Sequence, residues 1–274
     1  MPELPEVETV RRGLSLKIGS RRIIGVEKRR DNLRKPFPEK LAARLIGSQI
    51  IDFGRRGKYL LLGLDSDDIL IIHLGMSGRI LLTFGNRPPL DQHDHLVIDF
   101  EDGLRLVYND PRRFGLVDII NKELILNHRL LHAMGPEPLS PDFDFLALSK
   151  KLEGRKTSIK AALLDQRIIA GIGNIYACEA LFYARLSPRR LASNVQGKRA
   201  EHLVLSIKTV LEKAIAAGGS SLKDYVNTSG GLGYFQHGFT VYGRENQACK
   251  ECGNTVKRIV QNGRSTFFCP HHQR

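Results

Sequence analysis

A series of short apolar runs between residues 21 and 120 limits the possible folds more than any other feature of the chain. Gly, Asp and Pro residues separate the runs, which read RIIGVEKR, SQIIDFG, KYLLLGL, ILIIHLG, ILLTF, HLVIDF, LRLVY and LVDII. Many short strands at regular spacing are typical of a sandwich or a barrel. The N-terminal region is therefore predicted to be built from β-sheets.

The segment that precedes these runs, residues 5–17, predicts a helix. Val7, Val10, Leu14 and Leu16 recur there at near-helical spacing. Acidic residues come early in the segment and basic residues late, which is the order that the helix dipole favours.

A different pattern begins after residue 133. The stretch 134–145 contains several prolines and predicts a linker. Helices are predicted over 158–166, 174–184 and 198–219, and the last of them ends at a Gly-Gly pair. The polar, glycine-rich stretch 227–238 predicts a mobile loop, and the cysteine-rich C-terminal segment alternates like a β-hairpin.

The positive charge is concentrated in the second part of the chain. Residues 1–150 carry 23 Lys and Arg against 21 Asp and Glu, a net charge of +2, and residues 151–274 carry 19 against 8, a net charge of +11. A strongly basic region favours a polyanionic partner such as nucleic acid. A basic surface without a partner is the alternative.

Several classes of protein are disfavoured by the sequence. No run of about 18 apolar residues indicates a transmembrane helix, and the acidic start MPELPEVETV lacks the apolar core of a secretory signal. Four cysteines, three of them near the C-terminus, argue against a disulfide framework. We therefore expect a reducing, cytoplasmic setting without a membrane partner.

A metal site is predicted near the C-terminus. Cys249 and Cys252 are followed, after 16 residues, by Cys269 and His272. Two such pairs form the tetrahedral ligand set of a single structural Zn²⁺, with no open position for water. His271 is an alternative fourth ligand, and a chance cluster of reduced cysteines is the alternative to a metal site. Cys178 stands apart and is expected to be a buried apolar residue.

Several motifs, taken together, resemble the bacterial formamidopyrimidine-DNA glycosylase family. They span nearly the whole chain in the order of that family, and one departure is His272, where the family usually has a cysteine. The motifs are MPELPEVET, RRGKYL (55–60), HLGMSG (73–78), DPRRFG (110–115), GPEPL (135–139), GIGNIYACEALF (171–182) and the cysteine pairs.

The resemblance implies an α+β fold of two domains. We expect an N-terminal β-sandwich with an N-terminal helix over 1–133 and a linker over 134–150. A helix–two-turns–helix domain would follow over 151–238, and a zinc-finger β-hairpin over 239–274.

The resemblance also implies catalytic roles for four residues. Pro2, exposed as a secondary amine once Met1 is removed, would attack the sugar C1′ and form a charged iminium. Glu3 would transfer protons, Lys58 would donate a proton and contact phosphate, and Arg264 would grip a phosphate. Without the resemblance, Pro2 is an incidental second residue and Lys58 part of a solvated charge run. Glu6 is expected to support the first helix.

Further residues correspond to DNA contacts of the family. Met76, Arg112 and Phe114 would fill the space left by an extruded base, with Arg112 bonded to the orphaned cytosine. Core packing is the alternative for Met76 and Phe114, and a helix N-cap is the alternative for Asn174. Candidate contacts to the DNA backbone are His73, His93, Lys156, Lys160 and Asn174.

The predicted function is the excision of oxidised purines opposite cytosine from damaged double-stranded DNA, followed by β,δ-elimination. The related endonuclease that acts on oxidised pyrimidines is one alternative. A non-catalytic zinc-containing DNA-binding protein is another, and an RNA-binding role is disfavoured because aromatic stacking platforms are not evident. A monomer without an obligatory protein partner is expected.

Overall fold

The computed structural model describes residues 2–85, 88–220 and 233–274. It divides into two compact units. The first comprises Met1–His132 with Ala217–Tyr234, and the second comprises Ala133–Ala216 with Phe235–Arg274.

Within its described residues, the first unit consists mainly of β-strands with two α-helices. Helix α1 spans Leu4–Ile18 and helix α2 spans Leu41–Leu45. Each apolar run of the sequence forms one strand, so the predicted strands are confirmed, whereas α2 was not predicted. The strands are β1 (Ile23–Lys28), β2 (Ile50–Arg56), β3 (Tyr59–Leu64), β4 (Asp68–His73), β5 (Arg79–Phe84), β6 (Asp94–Phe100), β7 (Leu104–Asn109) and β8 (Leu116–Asn121).

The strands form two four-stranded antiparallel sheets, in the orders β1-β6-β7-β5 and β2-β3-β4-β8. Side chains alternate across a strand, so each sheet presents one apolar face. The side chains of these faces join one core cluster, which includes Leu60, Leu62, Leu96 and Leu106. The predicted N-terminal sandwich is confirmed.

Helix α1 packs into this core along one side. Val7, Val10, Leu14 and Ile18 are at most 1% exposed and belong to the core cluster. Leu16, which the sequence placed on the same stripe, is 86% exposed. Two positions along a helix correspond to a turn of about 200°, so Leu16 lies opposite Leu14.

The second unit is mainly helical. Its helices are α3 (Phe145–Leu152), α4 (Ile159–Leu164), α5 (Asn174–Tyr183) and α6 (Lys198–Ala216). The three predicted helices are confirmed as α4, α5 and α6, whereas α3, which overlaps the end of the predicted linker 134–150, was not predicted. Asp144 caps this helix, because its side chain accepts a hydrogen bond from the backbone N–H of Ala147 at 2.7 Å.

The predicted C-terminal hairpin is also confirmed. Strands β9 (Lys257–Gln261) and β10 (Arg264–Phe268) pair antiparallel around the two-residue turn Asn262-Gly263. Both turn residues have positive φ, 50° and 71°, as a tight hairpin turn of this kind requires.

The predicted loop over 227–238 falls partly on residues 227–232, which lie outside the described residues. Phe235–Gly238 form a 3₁₀-helix. In the part of the chain that the structure describes, no helix combines the length and apolar character needed to cross a membrane.

Leu14→Ala is expected to lower the free energy of unfolding by about 2–5 kcal/mol, because it leaves a cavity in the core. The matched control, Leu16→Ala on the exposed side of the same helix, should cost less than about 0.5 kcal/mol. Urea unfolding of both variants measures this difference. Equal losses would contradict the placement of α1.

Candidate active site and DNA-binding residues

The start of the chain is buried and capped. Pro2 and Glu3 are both buried and lead directly into α1. The Glu6 carboxylate accepts a hydrogen bond from the backbone N–H of Glu3 at 2.8 Å, and the two residues form a reciprocal capping box. This arrangement satisfies N–H groups that a helix leaves free at its N-terminus. The expected support of the first helix by Glu6 is confirmed.

Glu6 also binds a segment far away in sequence. Its other carboxylate oxygen accepts hydrogen bonds from Ser220, from the backbone N–H at 2.8 Å and from the hydroxyl at 3.0 Å. Gly219 leaves little room beside this contact, because a Cβ there would lie 3.1 Å from Glu6 Cγ. One buried carboxylate therefore holds Pro2-Glu3 and the end of the segment 217–220 together.

Lys58 lies in the turn between β2 and β3, directly before β3, and is 9% exposed. The turn is tied to α1 through Arg55, which contacts the Glu8 carboxylate at 3.2 Å and donates to the Gly57 carbonyl at 2.9 Å. Burial raises the pKa of Glu8, but hydrogen bonds from Arg11 and Arg12 outweigh that effect and lower it to about 2. Glu8 is thus ionised at neutral pH and holds Arg55 in place.

His73 ends β4 and is neutral at physiological pH. Burial lowers its pKa to about 4, and the positive charges of Lys58 and Arg34 act in the same direction. Its Nδ1 accepts a hydrogen bond from the backbone N–H of Gly75 at 3.0 Å. A contact of this ring with phosphate would therefore be made by a neutral donor.

Met76 and the pair Arg112 and Phe114 lie on two loops that follow β4 and β7. Phe114 is 46% exposed, which excludes core packing for it, and Met76 is half-buried. The guanidinium of Arg112 stacks over the Phe114 ring, 4.9 Å from its centroid. A cavity of about 350 Å³ lies beside these side chains, lined by Arg34, His73, Gly75, Met76 and Phe114.

His93 lies just before β6 and is half-buried. Its ring packs edge-on against His95 with the centroids 6.4 Å apart. Lys156 in the second unit is exposed, two residues before Ser158, the N-cap of α4.

Asn174 is the first residue of α5. The N-cap position, which was the alternative interpretation for Asn174, is occupied by Gly173. Its side-chain amide donates to the Ser265 carbonyl in β10 at 2.9 Å. Its Oδ1 atom is buried and makes no hydrogen bond within the described residues.

Lys160 does not fit the prediction of a phosphate contact. It is 1% exposed, and its Nζ donates to the Thr266 hydroxyl at 2.6 Å and to the Ser265 carbonyl at 3.2 Å. Lys160 and Asn174 therefore hold β10 against α4 and α5. Arg264, the first residue of β10, is exposed beside the hairpin turn.

Cys249, Cys252 and Cys269 form the expected metal-binding group. Their sulfur atoms all lie within 4.8 Å of one another, and those of Cys252 and Cys269 are 3.5 Å apart. Zn–S bonds of about 2.3 Å in a tetrahedron place two sulfurs about 3.8 Å apart, so these three donors fit zinc. Cys178 is buried in the cluster that packs the hairpin on α5, as expected for an apolar residue.

His272 is not a member of the described group of clustered ligand atoms. Its ring packs against Phe182 with the centroids 4.5 Å apart. Burial lowers the pKa of His272, and a hydrogen bond with the backbone of Phe182 acts in the opposite direction.

Among the described residues, the most deeply buried carboxylates beyond Glu6, those of Glu179 and Asp110, were not predicted from the sequence. Glu179 is 1% exposed and accepts backbone hydrogen bonds from Thr240, Val241 and Tyr242 at 2.8–3.0 Å. Asp110, at the end of β7, is fully buried. An acidic residue inside the apolar run of α5 was a signal for the first of them, since an ionised side chain is buried only with partners.

Comparisons with known proteins match three successive segments of the chain to models of known domains. The family model of the formamidopyrimidine-DNA glycosylase N-terminal domain matches residues 1–117, and that of its H2TH domain matches 134–226. The model of the zinc finger found in FPG and IleRS matches residues 246–271. Together with the three clustered sulfurs, this match assigns a structural zinc site to the hairpin.

Curated relatives and solved structures cover the full length. Formamidopyrimidine-DNA glycosylases of Rhodospirillum centenum and Dinoroseobacter shibae are 51% and 52% identical over all of this chain and all of their own. Lactococcus lactis Fpg bound to DNA containing an abasic site aligns with a TM-score of 0.92 at 37% identity, with both chains fully covered. Its complex with DNA containing an oxidized pyrimidine aligns at 0.91 and 38%, again over both whole chains.

His73→Gln is expected to reduce the acid sensitivity of the fold. The pKa of His73 is about 4 in the folded chain against an ordinary 6.5, so its stabilisation is complete above pH 6.5 and is lost as the pH falls toward 4. This loss is on the order of 1–3 kcal/mol. Urea unfolding between pH 4 and 7 measures it, with His132→Gln as an exposed-histidine control. An unchanged slope in His73→Gln would contradict the assignment.

Cys249→Ser is expected to abolish stoichiometric zinc binding, because a small hairpin depends on the metal in place of a core. Affinity for duplex DNA should fall by about tenfold or more as phosphate contacts are lost. Metal analysis and fluorescence anisotropy measure the two effects, and Cys178→Ala is the control that spares the metal group. A zinc-free variant with full DNA affinity would show that DNA binding does not depend on the zinc finger.

Proposed function

This chain belongs to the formamidopyrimidine-DNA glycosylase family, and we propose that it acts on damaged DNA through Pro2 as the nucleophile. It is a bifunctional DNA glycosylase and AP lyase that removes oxidised purines. The observation that most supports Pro2 is the buried, capped start of the chain, which holds a terminus that would otherwise be mobile.

The Pro2 nitrogen forms a bond to the sugar C1′ while the bond from C1′ to the base breaks. The base leaves with the electron pair of that bond and takes up a proton. The nitrogen then loses its proton, and the C1′–O4′ bond breaks as the ring oxygen takes up a proton. Because the amine is secondary, this opening of the sugar ring gives a charged iminium, which withdraws electrons from the sugar. Glu3 lies next to Pro2 and transfers protons at the ring oxygen and the nucleophile.

Strand cleavage follows from the iminium. Loss of a C2′ proton expels the 3′ phosphate, and loss of a C4′ proton expels the 5′ phosphate, which leaves a one-nucleotide gap. Lys58 donates a proton and contacts phosphate. Arg264 grips a phosphate with its bidentate fork, which the exposed position at the hairpin turn leaves available.

Met76, Arg112 and Phe114 fill the space left by the extruded nucleotide. The stacked pair Arg112 and Phe114 places a hydrogen-bond donor beside an exposed apolar ring. This combination suits an apolar wedge in the base stack and a hydrogen bond to the orphaned cytosine.

His73, His93, Lys156 and Asn174 contact the DNA backbone. Asn174 begins α5, where the helix N-terminus favours an anion. The net charge of +11 over residues 151–274, from 19 basic and 8 acidic residues, supports attraction of DNA to this part of the chain.

His272 is the fourth zinc ligand in this proposal, and His271 is the alternative. A ligating histidine commonly donates its second ring N–H to a backbone carbonyl, and the hydrogen bond of His272 with the Phe182 backbone has that form. Three thiolates and one imidazole leave no position for water, so the metal holds the hairpin and takes no part in the reaction.

We further propose that the chain acts in the cytoplasm as a monomer without an obligatory protein partner. The proposed domain limits are 1–133, 134–150, 151–238 and 239–274. The division of the compact units after His132 supports the first limit, although those units place Ala217–Tyr234 with the first unit.

Pro2→Gly should slow strand cleavage by about two orders of magnitude or more, because it removes the secondary amine that the reaction uses. Glycine also permits removal of Met1, and lesion binding should persist. Borohydride trapping on duplexes with 8-oxoguanine opposite cytosine, followed by mass spectrometry of the adduct, locates the bond. A second duplex with an oxidised pyrimidine measures substrate preference.

Pro5→Ala, a change at a second proline of the same helix start, is the matched control and should trap like the wild type. Equal cleavage by Pro2→Gly would remove Pro2 from the mechanism. Stronger trapping on the pyrimidine duplex would favour the related endonuclease. Lack of trapping by the wild type would favour a protein that only binds DNA.

A further inference from the structure

The loops that carry the three space-filling side chains touch each other closely. We call residues 73–78 the Met76 loop and residues 110–115 the Arg112 loop. A Cβ on Gly75 would lie 2.4 Å from the backbone nitrogen of Gly115, and a Cβ on Gly115 would lie 2.8 Å from the His73 carbonyl oxygen. The two backbones can approach this closely only because both positions are glycine.

Asp110 joins the two loops. One carboxylate oxygen accepts a hydrogen bond from the Ser77 hydroxyl in the Met76 loop at 2.6 Å, and the other accepts from the Gly115 backbone N–H at 2.8 Å. The Ser77 oxygen in turn accepts from the Arg112 backbone N–H at 3.1 Å. A chain of hydrogen bonds thus runs from the Met76 loop through Asp110 and back to Arg112.

The backbone of Asp110 is also held. Its carbonyl accepts a hydrogen bond from the Arg113 N–H at 3.1 Å and contacts His95 Nε2 at 2.9 Å. Arg113 has φ of 58°, a conformation that non-glycine residues rarely adopt and that needs support from its surroundings. The bend that turns Arg112 and Phe114 outward is therefore set at Asp110.

We infer that Asp110 is a positioning residue for opposite-base specificity, which locks the two loops into one rigid insert. Met76, Arg112 and Phe114 then enter the DNA with fixed spacing, and Arg112 meets only the base that matches it. This inference rests on the proposed function of those three side chains. Asp110 itself is fully buried, so in this proposal it acts through the two loops that it joins.

The carboxylate is required because both of its oxygens accept. An asparagine of the same shape has one acceptor oxygen, and its amide would face either the Ser77 hydroxyl or the Gly115 N–H. One buried donor would lose its partner, and the loops would move relative to each other.

The test compares Asp110→Asn with the wild-type protein on 8-oxoguanine opposite cytosine and opposite adenine, and on a duplex with a preformed abasic site. Excision opposite cytosine should slow by about tenfold or more, as small misplacements cost rate steeply. The cytosine-to-adenine ratio should fall by about fivefold or more, because one good bidentate contact contributes about 5- to 150-fold discrimination. Schiff-base trapping at the abasic site should change by less than about threefold, since no base is released there.

Ser77→Ala removes the middle link of this chain of hydrogen bonds and should also lower the cytosine-to-adenine ratio. The double variant of Ser77 and Asp110 should have a ratio no lower than that of Asp110→Asn alone. Asp99→Asn is the matched control, because Asp99 binds Arg105 within the same unit and away from the loops. Asp99→Asn should leave the cytosine-to-adenine ratio unchanged even if it lowers the melting temperature as much as Asp110→Asn does.

Arg112→Ala distinguishes the positioning role of Asp110 from the proposed role of Arg112 itself. If Arg112→Ala changes the ratio but Asp110→Asn does not, the inference about Asp110 is wrong while the proposed function stands. If Arg112→Ala leaves the ratio unchanged, the proposed role of Arg112 fails first. An equal loss of all three activities in Asp110→Asn would make Asp110 a residue of the fold alone and would also overturn the inference.

Discussion

The packing of α1 into the core of the sandwich is the constraint on which the first unit depends. The first residues of a chain are usually mobile, yet Pro2 as the proposed nucleophile has to be held at one place. Leu14 and Ile18 anchor the helix in the core, and Glu8 ties its polar side to Arg55 and the turn of Lys58. The first residues of the chain and the lysine of that turn are thereby held on one rigid support.

Buried carboxylates hold other segments of the protein in place. Glu6, Asp110 and Glu179 each accept backbone N–H groups from a segment far away in sequence or from a sharp turn. A carboxylate with several such donors is satisfied without a cation, and it joins irregular segments that no sheet or helix could hold. In this protein the segments held in this way are those next to the proposed reactive and DNA-contacting side chains.

The C-terminal hairpin shows how a small element is fixed without a large core. Its apolar cluster is small, and three clustered sulfurs supply a metal site. Lys160 and Asn174 add hydrogen bonds from α4 and α5 to Ser265 and Thr266. Arg264 is therefore presented on a strand that is held at one end by the metal site and along its length by the helices.

The sequence by itself determined the strands, the main helices, the hairpin and the cysteine group, because alternation, helical spacing, turn residues and ligand spacing are local properties of the chain. Those same local signals misplaced Leu16 and did not predict helices α2 and α3. Only the tertiary structure decided that Lys160 is a buried clamp, that His73 is neutral and that Asp110 joins two loops. These properties arise from burial and from partners up to about a hundred residues away, and one residue type at one position does not reveal either of them.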